Sequence, residues 1–137
     1  MLDINKLNKG FSKIVVGSLK PDVIKTLGIT RDPCNIVLWE DRFDYIQKHK
    51  PDFKSEESFR LCISKIPEII DCPDYVAIHP TKNSIEYIKQ VDELTIVAVR
   101  LRPSGELALR TVFPLTNKQL QDYIQMGTAK KIKSNDT

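Results

Sequence analysis

The residues best suited to chemistry lie within residues 39–51. There His49 stands between Lys48 and Lys50, with the phenol of Tyr45 four residues earlier. At helical spacing Phe43, Ile46 and Lys50 share one side, while Tyr45, Lys48 and His49 cluster on another. Histidine changes charge near neutral pH, so one held among cations suits proton transfer beside a phosphate. A solvated basic helix ending at Pro51 would carry the same residues.

A second cationic group accompanies a long apolar run, residues 94–102. Arg100 and Arg102 alternate there on one face with Ala98 and Ile96. Arg110 and Thr111 lie on the run that returns, residues 107–113. A two-residue turn at Ser104-Gly105 pairs Arg100 with Leu109 and puts Arg100 and Thr111 on one face. A loop one residue longer brings Arg110 to that face instead, and both registers stay open. Arginines at a hairpin end also serve simply to solubilise an exposed sheet.

A histidine, guanidiniums and a hydroxyl suffice for cleaving RNA without a metal. The ribose 2′-OH must lose a proton, the phosphate gathers negative charge, and the leaving 5′ oxygen must gain a proton. Guanidiniums grip two phosphate oxygens at once and stay charged. Tyr45, Lys48 and Lys89 are candidates for the second proton partner, each needing a shifted pKa.

Other chemistries lack their residues. The five glycines are isolated, so there is no glycine-rich phosphate loop. H-E-x-x-H, G-x-S-x-G and C-x-x-C are all missing. Cys34, Cys62 and Cys72 are odd in number and scattered, which argues against a disulfide framework and a zinc site. Cys62 falls within an apolar helical pattern and reads as buried. His79, before Pro80 at a strand end, reads as structural or superficial.

These groups need a scaffold, and 137 residues supply one core rather than two. With 41% hydrophobic and 28% charged residues the composition is that of a globular protein. A net charge of +3 permits a phosphate-bearing partner without requiring one. No apolar run has the length of a membrane span, and the N-terminus lacks a secretion pattern, so a cytoplasmic location without a membrane partner is expected.

The expected order is as follows. Residues 1–10 form an N-terminal arm. A small strand–helix–strand element follows, with strands at residues 14–16 and 35–39 and a helix from Pro21 capped by Gly28. Next come the His49 helix, ended by Pro51, and a helix capped by Ser55 and bent at Pro67. A meander of about four strands spans residues 75–113, with residues 94–102 central. A short helix over 117–124 ends at Gly127. Residues 127–137 form a basic tail, frayed from Ala129, in which Lys130, Lys131 and Lys133 crowd together. The class is α+β, with one domain over 11–126.

This order of motifs resembles the phage-borne branch of the barnase–EndoU–colicin–RelE-like (BECR) nuclease superfamily. The matching marks are Val16-Gly17-Ser18-Leu19, Leu27-Gly28, and Asp44-Tyr45-Ile46-Gln47-Lys48-His49. They continue through residues 66–76, Val97-Ala98-Val99-Arg100 and residues 109–115. The resemblance covers residues 14–124.

It implies helices packed on a four-stranded antiparallel sheet that carries endoribonuclease activity, leaving a 2′,3′-cyclic phosphate. It suggests His49 as the acid/base group, Arg100 and Arg110 as phosphate and transition-state binders, and Thr111 as a hydrogen-bonding hydroxyl. Lys48, Arg102 and Lys89 are further candidates for substrate contact. No metal and no organic cofactor are implied.

RNA, with tRNA among the candidates, is the expected partner of a toxin or phage effector, together with an immunity or antitoxin protein. The family pattern carries a histidine one turn before His49, where this chain has Tyr45. That departure suits a second reading: an inactive binding module, such as a phage-encoded inhibitor of a host protein.

Overall fold

The β-branched run at residues 14–16 and the apolar run at 36–38 form β1 (Lys13–Leu19) and β2 (Cys34–Trp39). Between them α2 (Pro21–Leu27) has Pro21 in its first turn and ends at Gly28, whose φ of +68° is left-handed. The computed structural model describes residues 1–132. Before β1, residues expected as an arm form α1 (Ile4–Asn8). The Asp3 carboxylate caps its first turn, and Ile4 and Leu7 are buried in the main core.

After β2 come α3 (Glu40–Ile46) and a 3₁₀ helix over Gln47–Asp52. Pro51 was expected to end an α-helix carrying His49. Instead the α-helix stops at Ile46, and Pro51, which lacks an N–H, is taken into the tighter 3₁₀ segment that carries His49. Ser55 caps α4 (Glu56–Ser64) by accepting from the Ser58 N–H at 3.0 Å. Pro67, expected to bend this helix, instead sits in the first turn of a separate α5 (Ile66–Asp71), where its missing N–H costs no hydrogen bond.

The meander is β3 (Tyr75–Ile78), β4 (Ser84–Gln90), β5 (Leu94–Arg100) and β6 (Leu107–Pro114), followed by α6 (Asn117–Gln125). These four strands are antiparallel, as the sequence led us to expect, but the sheet has six strands, in the order β1-β2-β6-β5-β4-β3. The N-terminal hairpin extends the meander: β2 pairs parallel with β6 through Ile36–Leu107 and Val37–Ala108. That pairing covers an edge of β6 that a four-stranded sheet would leave open.

One face of the sheet carries the main core. Val97, Val99, Leu107, Leu109 and Val112 meet Phe59, Cys62, Ile63, Ile66 and Ile69 there. Phe43 and Ile46 pin α3 to this core, each burial contributing about 1.5–3 kcal/mol. Gly17 lets α5 approach β1 closely, since a Cβ there would lie 2.7 Å from Ile70 Cγ2. The other face carries a smaller cluster, Ile88, Leu94, Ile96, Ala98 and Leu115, under Leu120, Tyr123 and Ile124 of α6.

The tail does not fray where expected. Ala129 is buried, and Lys130 exchanges two backbone hydrogen bonds of 2.8 Å with Val76 on the edge strand β3. Lys133 lies outside the described residues. Among those residues no helix is long and apolar enough to cross a membrane.

Candidate active site

Between α3 and α6, on the face of the sheet with the smaller cluster, lies a cleft of about 320 Å³. Its floor is Ser84 and Glu86 from β4, Ala98 from β5, and Arg110, Thr111 and Phe113 from β6. Ala98 pairs with both Glu86 and Thr111, and its small side chain leaves the space above them open. Arg42 and Tyr45 of α3 form one wall and Tyr123 of α6 another. His79 and Lys82, in the turn between β3 and β4, close one end.

Both registers the sequence left open occur between β5 and β6, one on each side of a bulge, with the longer-loop register next to the turn. Arg100 pairs with Ala108, and Val99 with Leu109. The register then shifts, so that Ala98 pairs with Thr111 and Arg110 is an extra residue in β6. Leu109 and Val112 both enter the main core, while Arg110 and Thr111 both line the cleft.

Arg110 is held from behind. Its Nη1 donates to the Lys82 carbonyl at 3.0 Å and to Ser84 Oγ at 2.8 Å. The remaining guanidinium N–H groups have no protein partner among the described residues and can grip an anion. Two buried oxygens in the same cleft, Glu86 Oε1 and Thr111 Oγ1, also have no hydrogen-bond partner among the described residues. Buried polar atoms are rarely left so, and a shared cleft gives both a natural partner in a ligand.

Glu86 is 2% exposed. Burial raises its pKa above the usual glutamate range, and the Lys82 ammonium opposes that only in part. Tyr123 is raised too, by burial and then by the charge of Glu86. His79 accepts at Nδ1 from the N–H groups of Thr81 and Lys82, both at 3.2 Å, which leaves its proton on Nε2. Burial, Lys82 and Arg110 all lower the His79 pKa, favouring that neutral form. Tyr45 is wrapped in cations, with Arg42 5.1 Å and Lys48 Nζ 5.7 Å from its ring centroid.

The structure thus brings Tyr45, Arg110 and Thr111 to one cleft. His49, expected at its centre, stands one side chain back. Its ring lies 5.8 Å from that of Tyr45 and 6.2 Å from that of Phe113, and Nδ1 is 2.9 Å from an Asp52 carboxylate oxygen. That carboxylate accepts the Nδ1 proton and leaves Nε2 unprotonated in the neutral ring.

Arg100 shares the cleft's face by register, pairing with Ser84, but is exposed and does not line the cleft. Arg102 lies in a neighbouring groove, and Lys48 is outside the lining. Lys89 is on the opposite face of β4, bound to the Cys72 carbonyl at 2.6 Å, and takes no part.

Sequence reasoning overlooked Glu86, Lys82 and Tyr123 and read His79 as structural or superficial. The signal for Glu86 was a carboxylate set between Ile85 and Tyr87 and alternating with Ser84 and Ile88. Among the described residues no three His, Cys, Asp or Glu side chains come together as a metal site.

No curated relative and no solved structure matches the chain. A family profile does, described as phage-Barnase-EndoU-ColicinE5/D-RelE like nuclease3, over residues 13–122. That span starts at the first residue of β1 and ends within α6, so it contains every sheet strand and every residue lining the cleft except Tyr123. With the cationic, hydroxyl-bearing cleft at its centre, the chain belongs to this phage-associated nuclease family.

Proposed function

We propose that the chain is an endoribonuclease that needs no metal and cleaves RNA by 2′-OH attack, leaving a 2′,3′-cyclic phosphate. One observation carries this reading: the anchored Arg110 fork shares a cleft with two buried, unpartnered oxygens, Glu86 Oε1 and Thr111 Oγ1.

In the proposed reaction the Glu86 carboxylate takes the 2′-OH proton as that oxygen bonds to phosphorus. The Arg110 N–H groups and the Thr111 hydroxyl bind the non-bridging oxygens as charge builds on them. The phosphorus–5′-oxygen bond breaks, and the Tyr45 phenol gives its proton to the departing oxygen. Arg42 and Lys48 lie against the Tyr45 ring. Solvent then takes the proton from Glu86 and returns one to Tyr45. His49, with Asp52, is a positioning residue for Tyr45.

The proposed setting is the cytoplasm of a host or target cell, with RNA, tRNA included, as substrate. A toxin or phage effector of this kind calls for an immunity or antitoxin protein.

The test is incubation of purified protein with total RNA in EDTA. Cleavage with cyclic phosphate ends is expected, and its loss in Glu86→Gln and Arg110→Ala. An inert wild type, or undiminished cleavage by both variants, overturns the proposal. Tyr45 at the position of an expected histidine favours a second reading, an inactive module that binds and inhibits a host protein. A stoichiometric protein partner from host lysate, with no RNA turnover, would select it.

A further inference from the structure

Beside the cleft runs an open groove of about 590 Å³, within the range of ligand sites. The two adjoin: Arg42 lines both, and Ala108 in the groove precedes Arg110 in the cleft by two residues on β6. The groove's wall is aromatic. Trp39, the only tryptophan in the chain, is 41% exposed and is joined there by Phe11. Lys13 Nζ sits 5.1 Å from the centroid of the Trp39 ring, held there by an ion pair with Glu106. Arg102 lines the same groove.

Two carboxylates also line it, and they differ. Glu40 is committed to the fold, since its Oε2 accepts from the Phe11 N–H at 2.7 Å. Asp41 has no protein partner among the described residues. A free carboxylate repels phosphate and accepts hydrogen bonds from amino groups. That end of the groove therefore suits the edge of a base, while Arg42 and Arg102 suit the sugar-phosphate backbone.

We infer that this groove is a nucleobase subsite. The nucleotide next to the scissile phosphate stacks its base on Trp39, turns the base's amino edge to Asp41, and lays its own phosphate along Arg42 and Arg102. This rests on the endoribonuclease reading and sharpens it. A base stacked on a side chain must first leave a duplex, so the substrate is single-stranded there and carries a phosphate beyond the one that is cut.

Trp39 is its own reporter. The probe is a single-stranded tetranucleotide with 2′-deoxy sugars, which lacks the attacking hydroxyl and is not turned over. Titrating it into the full chain should quench tryptophan emission in a saturable way, and inorganic phosphate should not. By anisotropy of the labelled tetranucleotide, Trp39→Ala should bind about tenfold to a hundredfold more weakly, and Trp39→Phe should recover most of the loss. Circular dichroism confirms that the variants fold.

No binding, binding without a change in emission, or wild-type affinity in Trp39→Ala overturns the inference. None of these readouts depends on turnover. Quenching without RNA cleavage sinks the nuclease reading and leaves the subsite. Cleavage without quenching sinks the subsite alone.

Discussion

Arg110 and Thr111 are consecutive residues, yet both side chains line the same cleft. In a regular strand they would point to opposite faces. The bulge in β6 removes that constraint: Ala108 stays opposite Arg100, Thr111 moves opposite Ala98, and Arg110 is the residue left over. Continued without a bulge, the Arg100–Ala108 ladder would set Arg110 opposite Ala98 and turn the Thr111 hydroxyl into the apolar core.

Arg110 should therefore matter far more than Arg100. Arg110→Ala is expected to lower kcat about a hundredfold to a thousandfold. Arg110→Lys should recover little, because a single ammonium cannot hold the Lys82 carbonyl and Ser84 while also forking onto a phosphate. Arg100 is exposed and its side chain has no partner among the described residues, so Arg100→Ala should leave the rate within about fivefold. Single-turnover cleavage of one RNA by the three variants checks the order.

What the sequence disclosed followed from local rules. Pro21 and Gly28 mark the ends of α2, Ser55 caps α4, and Pro67 separates α4 from α5, because caps and prolines act within one turn. The i,i+4 rule also brings Tyr45 and His49 together, but it is silent on which of them faces a cleft. Non-local choices were illegible. Nothing in residues 35–39 names β6 as a partner for β2, and nothing in Leu109-Arg110-Thr111 announces a bulge. Glu86 escaped notice because both faces of β4 are covered, so its alternation carries no inside-outside contrast.

Gly17 offers a test of the packing that joins the N-terminal hairpin to the helical layer. In Gly17→Ala the new methyl would meet Ile70 Cγ2 at 2.7 Å, an overpacking expected to cost about 1–3 kcal/mol. Ile70→Ala removes the obstacle while leaving a cavity of its own. The double variant should be less destabilised in thermal melts than the sum of the single variants. Simple additivity would mean that the strain is relieved elsewhere.

Thr111→Val separates function from stability. The Thr111 hydroxyl is buried without a partner among the described residues, so an isosteric methyl should leave stability within about 1 kcal/mol or raise it. Cleavage should nonetheless fall about tenfold or more, since a donor to the phosphate is lost. Melting and kinetics on one preparation decide the matter. A destabilised variant with full activity would assign the hydroxyl to the fold instead.

Glu86 ties the chemistry to the stability of the whole domain. Burial is the larger influence and raises its pKa, so the folded protein holds this proton more tightly than the unfolded chain does. The stability it lends is complete below the unfolded value, near 4.3 for an ordinary glutamate, and is lost as pH rises through the higher folded value. Glu86→Gln does not titrate. Its melting temperature should therefore gain on that of the wild type across this window and then run parallel to it. The proposed base works only when deprotonated, so wild-type kcat/KM should rise with pH through the same folded value. In melts and rates measured between pH 4 and 8, the pH at which the melting difference levels off must coincide with the midpoint of the rate profile. A mismatch would mean that the carboxyl governing stability is not the one that takes the proton.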